Sequence, residues 1–170
     1  MRYAATAIPG SRFLENLAYL VPGYQGYKDP ASRREEDSRF RARLLERLAS
    51  IRTTLGEYLG AAVGSRENDA ARAEAQALRL DGIADAIRYA PYGFSGFFDA
   101  PAVGEDVIDR ILVSDLTVLQ DLDLIEGICL SLDPEQRSSR ACAPSICDLI
   151  ESIDRIERHL IMRDKVLGGS

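Results

Sequence analysis

The 170-residue chain has no tryptophan, one histidine, two methionines and three cysteines. Each shortage excludes something. A single histidine, His159, leaves zinc without its usual nitrogen ligands, and Cys142 and Cys147 lack Cys-x-x-Cys spacing, so neither a metal ion nor a cofactor is expected. An odd set of thiols, Cys129, Cys142 and Cys147, in a chain large enough to fold without staples argues against a disulfide framework and for a reducing, cytoplasmic setting. No nucleophile elbow, phosphate-binding loop or Gly-x-Gly-x-x-Gly is present, and no Ser/His/Asp set extends beyond the one histidine, so no catalytic residue is assigned. Apolar runs fall well short of the ~18 residues of a spanning helix. The first residues reach Pro9 and Gly10 before any apolar stretch develops, unlike a secretory signal. Positive charge is also scarce: 21 Lys and Arg against 27 Asp and Glu leave a net charge of −6, which argues against nucleic acid as a partner.

What remains is 46% apolar and 28% charged, the composition of one ordinary globular domain spanning residues 1–170. Apolar residues recur at three- and four-residue steps in four long segments. The first covers Ala31 to Ala62 with Phe40, Leu44, Leu48, Ile51, Leu55 and Tyr58, opened by Asp29 as N-cap and Pro30 in the first turn. A second, Asp69 to Ala90, has a small-residue face of Ala73, Ala77 and Ala84 with Leu80, Ile83 and Ile87, and Pro91 ends it. The third runs from Glu105 to Leu132, and the fourth follows a Ser145 cap through Ile146, Leu149, Ile153, Ile156, Leu160 and Ile161. A shorter apolar segment, Ser11 to Val21, reads as an N-terminal helix or strap. Strand signals are nearly absent, so the expected fold is all-α: an up-down-up-down four-helix bundle over residues 31–167, preceded by a strap and loop over 1–28.

Two loops interleave glycine with aromatics: Gly23-Tyr24-Gln25-Gly26-Tyr27-Lys28 and Tyr92-Gly93-Phe94-Ser95-Gly96-Phe97-Phe98-Asp99. In such a bundle both lie at one end, gathering seven of the twelve Phe and Tyr residues there, Tyr89 among them. Tyr24, Tyr27, Lys28, Tyr92, Phe94, Phe97, Phe98 and Asp99 then form either an aromatic cap on the core or a partner-binding surface. Acidic groups also interrupt apolar arcs: Asp115, Glu126 and Glu157, with Arg41, Arg52 and Arg88 bordering neighbouring arcs. The expectation is a buried polar network of Arg41, Arg52, Asp115, Glu126 and Glu157. The competing reading is a carboxylate-lined metal site or enzyme built on Asp115, Glu126 and Glu157, against which Ile156 occupies the position three before His159 where a di-iron bundle needs Glu. From Arg33 to Arg52, seven arginines face four acids, a solvated face with i,i+4 pairs or a basic patch for anionic lipid or an acidic partner.

The run Pro22-Gly23-Tyr24-Gln25-Gly26-Tyr27-Lys28, then Arg33-Arg34-Glu35-Glu36-Asp37, then Tyr92 to Asp99, resembles an uncharacterised family of bacterial helical-bundle proteins sharing a PGYxGYK start and a YGxxGFFD-like loop. The resemblance implies an accessory role in membrane-stress systems of the phage-shock or band-7 type and brings no reaction with it. The expected function is therefore a non-enzymatic helical adaptor or scaffold binding a protein partner, with peripheral membrane contact or homo-oligomer formation as further expectations.

Overall fold

The computed structural model describes residues 10–61, 67–90, 96–132 and 146–168. All regular structure among them is helical: α1 (Gly10–Leu20), α2 (Arg33–Ala61), α3 (Glu67–Tyr89), α4 (Gly96–Asp99), α5 (Glu105–Leu132) and α6 (Ile146–Gly168). At about 1.5 Å per residue, the four long helices measure roughly 35 to 43 Å. Their inward stripes are the ones the three- and four-residue steps predict. Phe40, Leu44, Leu48, Ile51, Leu55 and Tyr58 are buried on α2, Ala73, Ala77, Leu80, Ile83 and Ile87 on α3. On α6 the stripe runs Ile146, Leu149, Ile153, Ile156 and then departs from the expected pattern, because Ile161 is exposed and Arg163 takes the inward position.

Helix α5 packs on α6, α2 and α1, while α3 packs on α2 and α6. Cross-helix bonds fix the directions. Arg41 reaches the carbonyl of Ile87, and Arg52 reaches Asp81, so α2 and α3 are antiparallel. Asp121 with His159 and Asp115 with Arg163 make α5 and α6 antiparallel. By contrast Arg72 meets Cys147 and Arg79 meets Asp154 and Glu157, so α3 and α6 run parallel. The molecule is thus two antiparallel helix pairs laid side by side, with like directions adjacent.

The start of α2 differs from expectation. Asp29 does not cap the helix: its Oδ1 accepts from the N–H of Ala31, and its carbonyl accepts from the N–H and Oγ of Ser32. The helix opens three residues later, with the Ser32 carbonyl accepting from the N–H of Glu36. An Asx turn therefore absorbs Pro30 and Ala31 before the helix begins. Residues 96–99, expected to be loop, form the single turn α4, which turns Phe97 and Phe98 inward. The expected Ser145 cap lies outside the described residues.

Two glycines of the 23–28 loop have the left-handed backbone that L side chains avoid, Gly23 at φ 78° and Gly26 at φ 80°. A Cβ on Gly26 would also stand 2.8 Å from Leu14 Cδ1 on α1. Gly82, in the middle of α3, has nothing within 4 Å of a Cβ position. Gly26→Ala should therefore lower unfolding free energy by about 1–2 kcal/mol. Gly82→Ala should raise it by about 1 kcal/mol, the helix-propensity difference. Urea denaturation of the two variants checks the opposite signs.

Candidate functional site

The 23–28 loop and α4 meet over the ends of α2, α5 and α6 around a buried ionic cluster. Its hub is Arg163, in the last third of α6. Arg163 Nε donates to Asp115 Oδ1 at 2.5 Å and its Nη2 donates to Asp37 Oδ1 at 2.6 Å and to the Tyr27 hydroxyl at 3.1 Å. The Tyr27 hydroxyl donates to Asp115 Oδ2 at 2.8 Å, and Tyr24 donates to the same oxygen at 3.1 Å. Asp37 Oδ2 accepts from Arg41 Nε at 2.7 Å. The guanidinium of Arg163 also lies 4.6 Å from the centre of the Phe40 ring. Two carboxylates and two guanidiniums balance, and Asp37, Asp115 and Tyr27 are wholly inaccessible to solvent.

Burial and the Asp115 carboxylate push both phenols well above their ordinary range, so Tyr24 and Tyr27 remain protonated donors. Burial raises the pKa of Asp115, with the Arg163 charge and three donated hydrogen bonds opposing it. For Arg163, burial opposes the charge, but Asp115, Tyr27 and Asp37 outweigh it and hold its pKa well above the usual value.

Two further side chains tie the loops to this cluster. Arg33, 1% exposed, donates from Nε to the Tyr27 carbonyl at 2.9 Å and from Nη1 to the carbonyls of Phe97 (3.1 Å) and Ala100 (2.7 Å). Among the described residues it is held by carbonyl oxygens and by the Phe97 ring, 5.2 Å away, rather than by a carboxylate. Glu36 accepts from the Gln25 N–H at 2.9 Å and from Arg39, which itself donates to the Gly23 carbonyl. Tyr24, Tyr27, Phe97 and Phe98 pack edge to face in sequence, with centroids 5.3–5.7 Å apart.

The geometry corrects several expectations. Tyr24, Tyr27, Phe97 and Phe98 are interior, so they cannot be a partner surface; they seal the core because Asp115 and Arg163 draw both hydroxyls inward. Lys28 and Asp99 are exposed, Asp99 pairing with Arg34, while Tyr92 and Phe94 lie outside the described residues. Tyr89 is exposed on α3 rather than part of the cap. Of the expected buried network, Arg41 and Asp115 belong to it. Arg52, Glu126 and Glu157 do not: their side chains are 38%, 34% and 38% exposed and pair at helix margins with Asp81, Arg47 and Arg79 respectively. Asp115, Glu126 and Glu157 thus meet three different arginines and form no shared ligand set. Among the described residues, no group of three His, Cys, Asp or Glu could hold a metal ion.

Sequence reasoning missed Asp37, Arg163, Arg33 and Glu36. Arg163 carried a signal, since it continues the spacing of Ile156 and Leu160 toward Leu167. Arg33, Glu36 and Asp37 fall in the stretch where seven arginines face four acids, and nothing in its spacing separates them from solvated charges.

Outside the sealed cluster, at the same end, a surface cavity of about 230 Å³ opens between α1, the 23–28 loop and the start of α5. Leu14, Gly26, Tyr27, Ile108 and Leu112 supply its apolar lining, and Gln25, Lys28, Glu105 and Asp109 its polar part. Among the described residues, Lys28, Glu105 and Asp109 make no ion pair. Cys129 and Cys147 are free thiols, the first buried and the second exposed beside Arg72, whose Nη2 lies 3.2 Å from the sulfur. Comparison with protein-family models, curated proteins and solved structures finds no match.

Arg163→Met should cost about 3–5 kcal/mol, because it leaves Asp115 and part of Asp37 buried without their counter-charge. Adding Asp115→Asn should recover part of that loss, and a urea-denaturation double-mutant cycle measures the coupling. Burial and the nearby Glu126 push the Cys129 thiol up to about 12, so iodoacetamide at pH 8 should label Cys147 in the folded protein and Cys129 only after unfolding, read by peptide mass mapping.

Proposed function

We propose that the chain is a non-enzymatic helical adaptor, an up-down-up-down four-helix bundle that holds a protein partner at its aromatic end. The bundle reading is supported by the two antiparallel pairs α2/α3 and α5/α6 and by the closed circuit of packing through α2, α3, α6 and α5. In that arrangement α3 and α5 stand diagonally across the bundle, and α4 lies over the end of the core with Phe97 and Phe98 inward. The motif resemblance extends the proposal to a partner in a membrane-associated assembly. No helix among the described residues is long and apolar enough to cross a membrane.

The observation that carries the reading is the concavity at this end. Two of its walls, the 23–28 loop and α5, are tied to the ionic cluster, its floor is apolar, and among the described residues Lys28, Glu105 and Asp109 on its rim make no ion pair. Rigid surroundings lower the ordering cost of binding, and an apolar recess with a polar rim is the usual anatomy of a recognition surface.

The test places a photo-cross-linking side chain at Lys28 or Asp99, at the aromatic end, or at Glu57, near the far end of α2. Irradiation of cells should give a cross-linked protein from positions 28 and 99 and none from 57. Cross-links from position 57 alone, or from no position, would overturn the proposal.

A further inference from the structure

The cavity beside α5 has features that name its occupant more closely than a partner in general. At about 230 Å³ it is smaller than the ~300–1,000 Å³ typical of small-molecule and cofactor sites, and larger than the ~150 Å³ that accommodates one benzene ring. That volume suits one large apolar side chain and the backbone carrying it. Leu14 and Leu112 face each other closely across the Gly26 backbone: a Cβ on Gly26 would stand 2.8 Å from Leu14 and 3.9 Å from Leu112. The glycine thus keeps the recess at its present depth.

The rim supplies the second part. Glu105 and Asp109 are four residues apart on α5, so they project on one side of the helix as a like-charged pair, an arrangement that destabilises an isolated helix. Elsewhere in the molecule neighbouring acids on one helix meet an arginine: Arg39 takes Glu35 and Glu36, and Arg79 takes both Asp154 and Glu157. Among the described residues lining the cavity the one cation is Lys28, on the opposite wall, and it bonds neither acid. The rim therefore carries a net negative charge within a chain of net charge −6, which steers cationic segments toward it.

We infer that the cavity binds a peptide segment of the partner in which a large apolar side chain is flanked by a basic residue. The apolar side chain fills the recess formed by Leu14, Ile108 and Leu112. The basic residue lies between Glu105 and Asp109, and Lys28 Nζ donates a hydrogen bond to a backbone carbonyl of the segment. This rests on the adaptor reading and adds to it the chemistry of the partner.

The probe is an array of synthetic decapeptides with a central Leu, Phe or Ser followed by Arg, Glu or Ser, overlaid with the full chain. Leu-Arg and Phe-Arg peptides should be retained, with at least tenfold weaker retention when Ser replaces the apolar residue or Glu replaces Arg. The double variant Glu105→Lys, Asp109→Lys, folded to the parent's melting midpoint, should reverse the preference toward Glu-flanked peptides. Equal retention of Arg- and Glu-flanked peptides, or a preference that the double variant leaves unchanged, would sink the inference. So would a dimer seen by light scattering that the double variant abolishes, which assigns the cavity to a second copy. Several-fold tighter peptide binding by Arg2→Ser would assign it to this chain's own first residues. If position-28 cross-links persist in the double variant, the cavity is the wrong surface while the adaptor reading stands; if cross-links never form, that reading fails by itself.

Discussion

One guanidinium holds three parts of the chain together. Arg163 of α6 bonds Asp37 of α2, Asp115 of α5 and the hydroxyl of Tyr27 in the loop between α1 and α2, all out of contact with water. Taking a charge from water costs several kcal/mol, recovered only when the remaining donors and acceptors are filled. Here all four carboxylate oxygens are filled: Arg163 and Arg41 complete Asp37, and Arg163, Tyr24 and Tyr27 complete Asp115. Because the tyrosines must arrive with their hydroxyls pointing inward, the loop carrying them has little freedom. Its left-handed glycines, the Glu36 grip on Gln25 and the Arg33 grip on the Tyr27 carbonyl are all consequences of that requirement.

The second consequence is on the outside. A loop whose aromatic side chains are committed to the interior turns its polar side chains outward, and Gln25 and Lys28, with Gly26 between them, become a wall of the cavity against α1 and α5. Sealing the cluster and shaping the recess are two faces of one arrangement. The aromatic residues hold this wall in place, and Tyr27 itself contributes to the cavity's lining.

The sequence made the helices plain because each long stripe repeats many times: six buried apolar positions along α2 leave little ambiguity, and α5 is helical over Glu105–Leu132, the span its apolar repeat predicts. The single turn α4 has no repeat to read. Asp115 was legible as a carboxylate in the middle of an apolar arc, and it is fully buried. Glu126 and Glu157 looked alike on the helical wheel but stand at the margins between helices, where an arginine from the neighbour reaches them in partial contact with water. The wheel gives a direction from one helix axis and contains nothing about how near the next helix lies. Asp37 and Arg33 were hidden for a related reason: within a charge-rich first turn, only the tertiary placement of α4 and α6 separates the buried charges from the solvated ones.

The bond between Asp37 and Arg163 spans 126 residues of chain. A polypeptide leaves the ribosome from its N-terminus, so Asp37 and then Asp115 emerge long before the cation that neutralises them. Until residue 163 is free, closing this end would bury two carboxylates with Arg41 as the one cation of the cluster beside them. The electrostatics thus tie closure of the aromatic end to the arrival of residue 163, whatever has been made before it.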